Sequence, residues 1–164
     1  MRDLPPHRIY GSGPRPVLAL HCSLAHGGEW AGLVGHLPGV RLMAPDLPGH
    51  GRQPIWDGQS DTHAEATRQA ADCAAALGAP IDLIGHSFGA TVALRLALER
   101  PELVRSLVLI EPVLFAAAKA AEDPRFAAFA SREGRFRDLL AEGQAEAATE
   151  AFLAVWGSDR PFPD

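Results

Sequence analysis

The chain has 164 residues, 47% hydrophobic and 21% charged, enough for one domain with a core and too apolar for wholesale disorder. Its formal charge is −5, and its 14 Arg and single Lys are scattered, which excludes the basic footprint of a nucleic-acid binder. No apolar run reaches the length of a membrane span, and Met1-Arg2-Asp3-Leu4-Pro5-Pro6 lacks the apolar stretch of a secretory signal. A cytoplasmic protein is the expectation.

Residues 7–10 read as an edge strand followed by a turn at Gly11-Ser12-Gly13. Residues 16–21 are the first strong strand. Trp30, Leu33, Val34 and Leu37 then recur at i, i+3, i+4, i+7, the spacing of one helix face. A second strand covers residues 40–44. The pattern Thr62-His63-Ala64-Glu65 reads as a capping box opening a helix with Ala70, Cys73, Ala74 and Leu77 on one stripe and Gly78 as its stop.

A third strand spans residues 81–85. The helix after it begins just past Ser87 and runs to Arg100, where Pro101 limits it. Residues 106–111 form the last strong strand. Each strand is nearly continuous in Val, Leu and Ile, as in a parallel sheet covered on both faces. Strand and helix alternate, which gives an α/β fold with right-handed crossovers. After Pro112 the chain turns helical and Ala-rich, with breaks expected at Pro124, Gly134 and Gly143 and no further strand.

Cys22 and Cys73 lie on different elements, form no CxxC pair and read as reduced thiols. The seven His include no HExxH or comparable ligand spacing, so neither a metal nor another cofactor is expected.

The chemistry concentrates at Gly85-His86-Ser87-Phe88-Gly89. A GxSxG pentapeptide is common by chance, but here it follows an apolar strand and precedes a helix. That setting suits a nucleophile elbow, in which a tight turn lifts the serine above the sheet beside a helix N-terminus. Two further segments precede it in order: His21-Cys22-Ser23 with Trp30 nine positions after the His, and Asp46-Leu47-Pro48-Gly49-His50-Gly51-Arg52.

With these three motifs, residues 8–112 resemble the α/β-hydrolase superfamily, in its serine-nucleophile, capped, esterase- or lipase-like form. The resemblance implies a three-layer αβα fold around a mostly parallel sheet. Residues 1–112 would be the N-terminal part of the core, and 113–164 a helical cap segment. Ser87 would be the nucleophile, and the backbone N–H groups of Phe88 and Ser23 would form the oxyanion hole. Cys22 departs from the family's usual glycine, and Gln53 from a common serine.

His21 and His50 are expected to order their loops, His86 to point away from the serine hydroxyl, and His26 to lie beside the pocket. Glu111, at the end of the last strand, is a candidate pocket carboxylate or displaced catalytic acid. The family's acid and histidine follow two later strands. This sequence has neither strand and no His after His86, so the core is expected to be incomplete and the chain to end inside the cap.

The expected function is a cofactor-free serine hydrolase of an ester or related carbonyl, weak or inactive as it stands. The alternative is a non-catalytic binding module of the same fold. A small-molecule substrate is expected, with no nucleic acid or membrane partner. The open sheet edge is expected to leave the chain marginally stable or to pair with a second copy.

Overall fold

The computed structural model describes residues 3–57 and 59–157, with the side chains of residues 132 and 133 left aside. The chain divides into two compact units, one ending at Val113 and the other starting at Leu114. The first is built on five strands: β1 (His7–Tyr10), β2 (Arg15–Leu20), β3 (Val40–Pro45), β4 (Ile81–His86) and β5 (Val104–Ile110). They lie in the order β1-β3-β2-β4-β5. Only β1 is antiparallel, meeting β3 with His7 opposite Pro45.

Strand periodicity sends alternate side chains to opposite faces. Val17 and Ala19 of β2 join Val40, Leu42 and Ala44 of β3 on one face, under Trp30. Leu18 and Leu20 join Leu83 on the other, under α2 (Thr62–Leu77) and α3 (Phe88–Glu99). The α2 stripe is as the sequence predicts, with Ala70, Cys73, Ala74 and Leu77 buried and Gly78 closing the helix at φ +83°. The cap differs by one residue. Asp61, not Thr62, accepts the Ala64 N–H at 2.9 Å, and Glu65 pairs with Arg68. A carboxylate at the N-cap is at least as good an acceptor as a hydroxyl, so Thr62 is drawn into the first turn.

The helix expected from Trp30 to Leu37 is shorter than its pattern. A 3-10 turn (Gly27–Trp30) leads into α1 (Ala31–Val34), a single turn. Trp30 is buried, but Leu33 is 36% exposed. Gly32 and Gly35 each cost about 1 kcal/mol of helix propensity relative to Ala, and Pro38 follows closely.

At the far end of β4, Asp82 gathers Arg105, Arg15 and Ser106. The Arg105 guanidinium, ahead of Arg15 and Ser106, holds its carboxyl well below the usual range against the effect of burial. β5 pairs with β4 in parallel, Ile84 beside Val108 and His86 beside Ile110. Val108 is 49% exposed and Ile110 38% exposed, on the same face as Trp30. Among the described residues, β5 has no strand on its other side.

The second unit holds α4 (Phe115–Ala120), α5 (Arg125–Ala141) and α6 (Ala145–Trp156). Gly134 lies inside α5 and does not break it, because the helix continues for seven residues beyond it. Gly143, at φ +74°, does mark the turn to α6. Phe115 stacks on Phe129 at 3.7 Å, and Phe136 meets Phe152 at 6.0 Å. Ala148 is the one fully buried residue described there. An open cavity of about 740 Å³ between α5 and α6 is lined by Phe129, Phe136, Leu139, Phe152, Val155 and Trp156 among others.

Candidate active site

The strand order reverses between β2 and β4: β3 lies to one side of β2, while β4 and then β5 lie to the other. In open α/β sheets the crevice beyond the carboxyl ends at such a reversal is where ligands bind. Two segments meet there, the loop leaving β2 and the turn leaving β4.

Ser87 occupies the β4 turn at φ +52°, ψ −111°. A non-glycine residue in such a region costs about 1–3 kcal/mol and persists only when its surroundings enforce it. Here the enforcement is main-chain. The Ser87 N–H donates to Ile110 O at 2.9 Å, and its carbonyl accepts from Ala90 at 3.1 Å and Thr91 at 3.3 Å. Gly89 lets α3 press against the end of β2, since a Cβ there would lie 2.5 Å from the His21 carbonyl oxygen and 2.6 Å from the Leu20 carbonyl carbon. A Cβ at Gly85 would meet Ala90 Cα at 2.5 Å. Both flanking glycines are thus demanded by close approach. Phe88 opens α3, so its amide N–H has no acceptor in a preceding helical turn.

The loop after β2 turns over Cys22, Ser23, Leu24 and Ala25, closed by Ala25 N–H to Cys22 O at 3.3 Å. The left-handed residue is Leu24, at φ +60°. Cys22 is not among the positive-φ residues, which explains why a side chain is accommodated where the family usually has glycine. Ser23 and Phe88 are both half-buried, one at the end of each segment.

Two buried polar groups fix this loop to the next one. His21 is fully buried; its Nε2 accepts the Leu47 N–H at 2.9 Å, which leaves Nδ1–H to donate to Cys22 O at 2.7 Å. Burial pushes its pKa down and keeps the ring neutral. Asp46 is also fully buried. Burial alone would raise its pKa, but the Gly27 and Arg52 amides and the Arg52 and Arg8 guanidiniums hold it at about 2. Gln53 caps the same segment, donating to Asp46 O at 3.0 Å and Gln69 Oε1 at 2.7 Å.

His50, His26 and His86 are each held by a partner. His50 Nδ1 meets Pro48 O at 2.9 Å, and His26, exposed, caps the 3-10 turn by accepting the Gly28 N–H at 2.9 Å. His86 Nδ1 pairs with the Glu29 carboxylate, whose other oxygen accepts the Cys22 N–H at 3.0 Å. Glu111 follows β5 at φ +46° and is exposed.

Two neighbours of the candidate site carry no sequence signal of such a place. Glu29 carries no motif, and only the 3-10 turn brings it to Cys22 and His86. His63, read only as part of a cap, stands edge-on to Phe88 at 5.7 Å and meets Thr91 Oγ1 at 3.2 Å. Burial, and then the nearby Arg95, lower its pKa.

A family model described as alpha/beta hydrolase fold matches residues 15–156. Lipase LipV of Mycobacterium tuberculosis is 38% identical over 153 residues, covering 93% of this chain and 57% of that protein. The pimeloyl-[acyl-carrier protein] methyl ester esterase of Nitrosomonas europaea is 41% identical over 101 residues, 61% of this chain and 38% of the esterase. The crystal structure of the Paleococcus ferrophilus monoacylglycerol lipase superposes with a TM-score of 0.60 at 27% identity, covering 72% of this chain and 51% of the lipase. The chain therefore spans about half or less of these relatives' lengths. From the elbow, the strand order and these likenesses together, the chain belongs to the alpha/beta hydrolase fold family.

Proposed function

We propose that the chain carries the nucleophile and oxyanion half of a serine hydrolase acting on an ester or related carbonyl. Ser87 Oγ attacks the carbonyl carbon, its proton passing through solvent to the departing alcohol or thiol, and the C=O electron pair moves onto oxygen. The N–H groups of Phe88 and Ser23 receive that oxyanion, which is where preorganised donors lower the barrier most. Collapse expels the alcohol or thiol and leaves an acyl-serine, which water then hydrolyses.

The observation that carries this reading is the φ of +52° at Ser87, a strained serine on a strand-to-helix turn at the sheet's switch point. A serine there, rather than an aspartate, favours acyl transfer over the carboxylate-nucleophile chemistry of dehalogenases and epoxide hydrolases. Residues 113–164 are assigned as a helical cap segment, whose Phe, Leu and Trp side chains suit an apolar acyl group. Glu111 is assigned as a pocket carboxylate at the strand end.

A serine hydroxyl without a positioned base is a poor nucleophile. No histidine follows His86 in these 164 residues, so turnover by them alone is expected to be weak. For these 164 residues as they stand, the second reading is a non-catalytic module that binds a ligand in the crevice.

A fluorophosphonate probe with a Ser87→Ala control, alongside p-nitrophenyl acetate hydrolysis, separates the two. Labelling and turnover that disappear in Ser87→Ala support the hydrolase. A folded protein that neither labels nor turns over leaves the binding module.

A further inference from the structure

Cys22, Glu29 and His86 come from the loop after β2, the 3-10 turn and the end of β4, and their ligand-type atoms all lie within 4.8 Å of one another. We propose that these three side chains form a binding site for a thiophilic divalent cation, with Zn2+ as its probe. The inference goes beyond the hydrolase reading and does not depend on it.

Three observations carry it. The donor set is one sulfur, one nitrogen and one carboxylate oxygen, which suits Zn2+ and disfavours Mg2+ or Ca2+. Tetrahedral zinc bonds of about 2.0–2.3 Å place ligand atoms roughly 3.3–3.8 Å apart, so an ion enters by parting the direct His86–Glu29 pair and drawing in Cys22 Sγ. The ligands are also held in advance. Glu29 keeps one oxygen on the Cys22 N–H at 3.0 Å, and His86 lies within the β4–β5 ladder opposite Ile110. Such outer contacts orient ligands and sharpen affinity.

Glu29 is exposed and Cys22 and His86 are half-buried, so the cluster is open to an entering ion. Binding exchanges the Cys22 thiol proton, released to solvent, for a Zn–S bond. The thiolate and the Glu29 carboxylate together balance the 2+ charge. Three protein ligands leave the fourth position to water, the arrangement of an open zinc site.

The test is titration of the untagged 164-residue chain with ZnCl2 by calorimetry, and with CoCl2 by absorption. One equivalent of Zn2+, a thiolate-to-cobalt charge-transfer band and a melting temperature raised by Zn2+ and restored by EDTA are expected. Cys22→Ser should remove the band and weaken Zn2+ binding more than about 100-fold, beyond what loss of an outer contact does. Cys73→Ser should leave both unchanged. Should Cys22→Ser fail to fold, as judged by circular dichroism, the near-isosteric Glu29→Gln takes its place with a weakening of at least about tenfold. A folded wild-type chain that binds no Zn2+, or binding unchanged in both Cys22→Ser and Glu29→Gln, overturns the proposal. The second outcome would assign the ion to surface histidines.

Discussion

Asp46 and His21 anchor the loops of the site through the same physics with opposite charges at stake. Each is fully buried, and each is tolerated only in one protonation state. The Asp46 carboxylate must stay ionised for four donors to converge on it, and its pKa falls from 3.8 to about 2. The unfolded chain takes up that proton first, so this contribution of about 2 kcal/mol is complete above pH 3.8 and fades as pH falls through about 2. His21 must stay neutral to accept the Leu47 N–H, and its pKa lies below 6.5. Its contribution is complete above pH 6.5 and is lost as pH falls through the folded value. Urea unfolding should thus weaken in two stages on acidification. Asp46→Asn should cost stability near pH 7 and very little near pH 2. A cost that is the same at both pH values would remove the carboxylate from this role.

At the candidate site, the turn at Ser87 was legible because strand, glycines and helix all point to it locally. Glu29 was not, because a lone Glu between two glycines and a Trp carries no pattern. Its partners are seven and 57 positions away in sequence.

At the scale of elements, the elbow depends on how closely α3 approaches β2. Gly89→Ala should cost about 3 kcal/mol, the upper end of an overpacking penalty, because the atoms it meets are main-chain carbonyls that cannot swing aside. The same variant should lose probe labelling in proportion to elbow displacement. Wild-type stability in Gly89→Ala, measured by urea denaturation, would contradict the packing described. The strands were legible almost to the residue because buried parallel strands are runs of Val, Leu and Ile. The helix at Trp30 was not, because its apolar spacing is real while Gly32 and Gly35 cut it to one turn. Gly134 misled in the reverse sense, being tolerated inside a helix of 17 residues. Propensity is a weak prior, and the same residue type gave way to context in one place and prevailed in the other.

For the whole molecule, the uncompensated feature is the β5 side of the sheet. Val108 and Ile110 are exposed beside an unpaired strand edge among the described residues. Such an edge is a template for pairing with another chain. Sedimentation velocity is expected to show concentration-dependent self-association at micromolar protein, and Val108→Lys should shift it toward monomer. A monodisperse monomer that unfolds cooperatively would show the edge to be harmless. The open face could not be read in advance from β5 alone, since its apolar run looks like that of a strand covered on both sides.

The bond from the Ser87 N–H to Ile110 O has a consequence for how such a site can diversify. A carbonyl oxygen is the same in every residue, so the position of Ser87 is written into the main chain and is indifferent to which side chain stands at 110. Selection is then free to change that side chain, and with it whatever the neighbouring surface recognises, without moving the serine. The fold separates the register that positions Ser87 from the side chains that surround it.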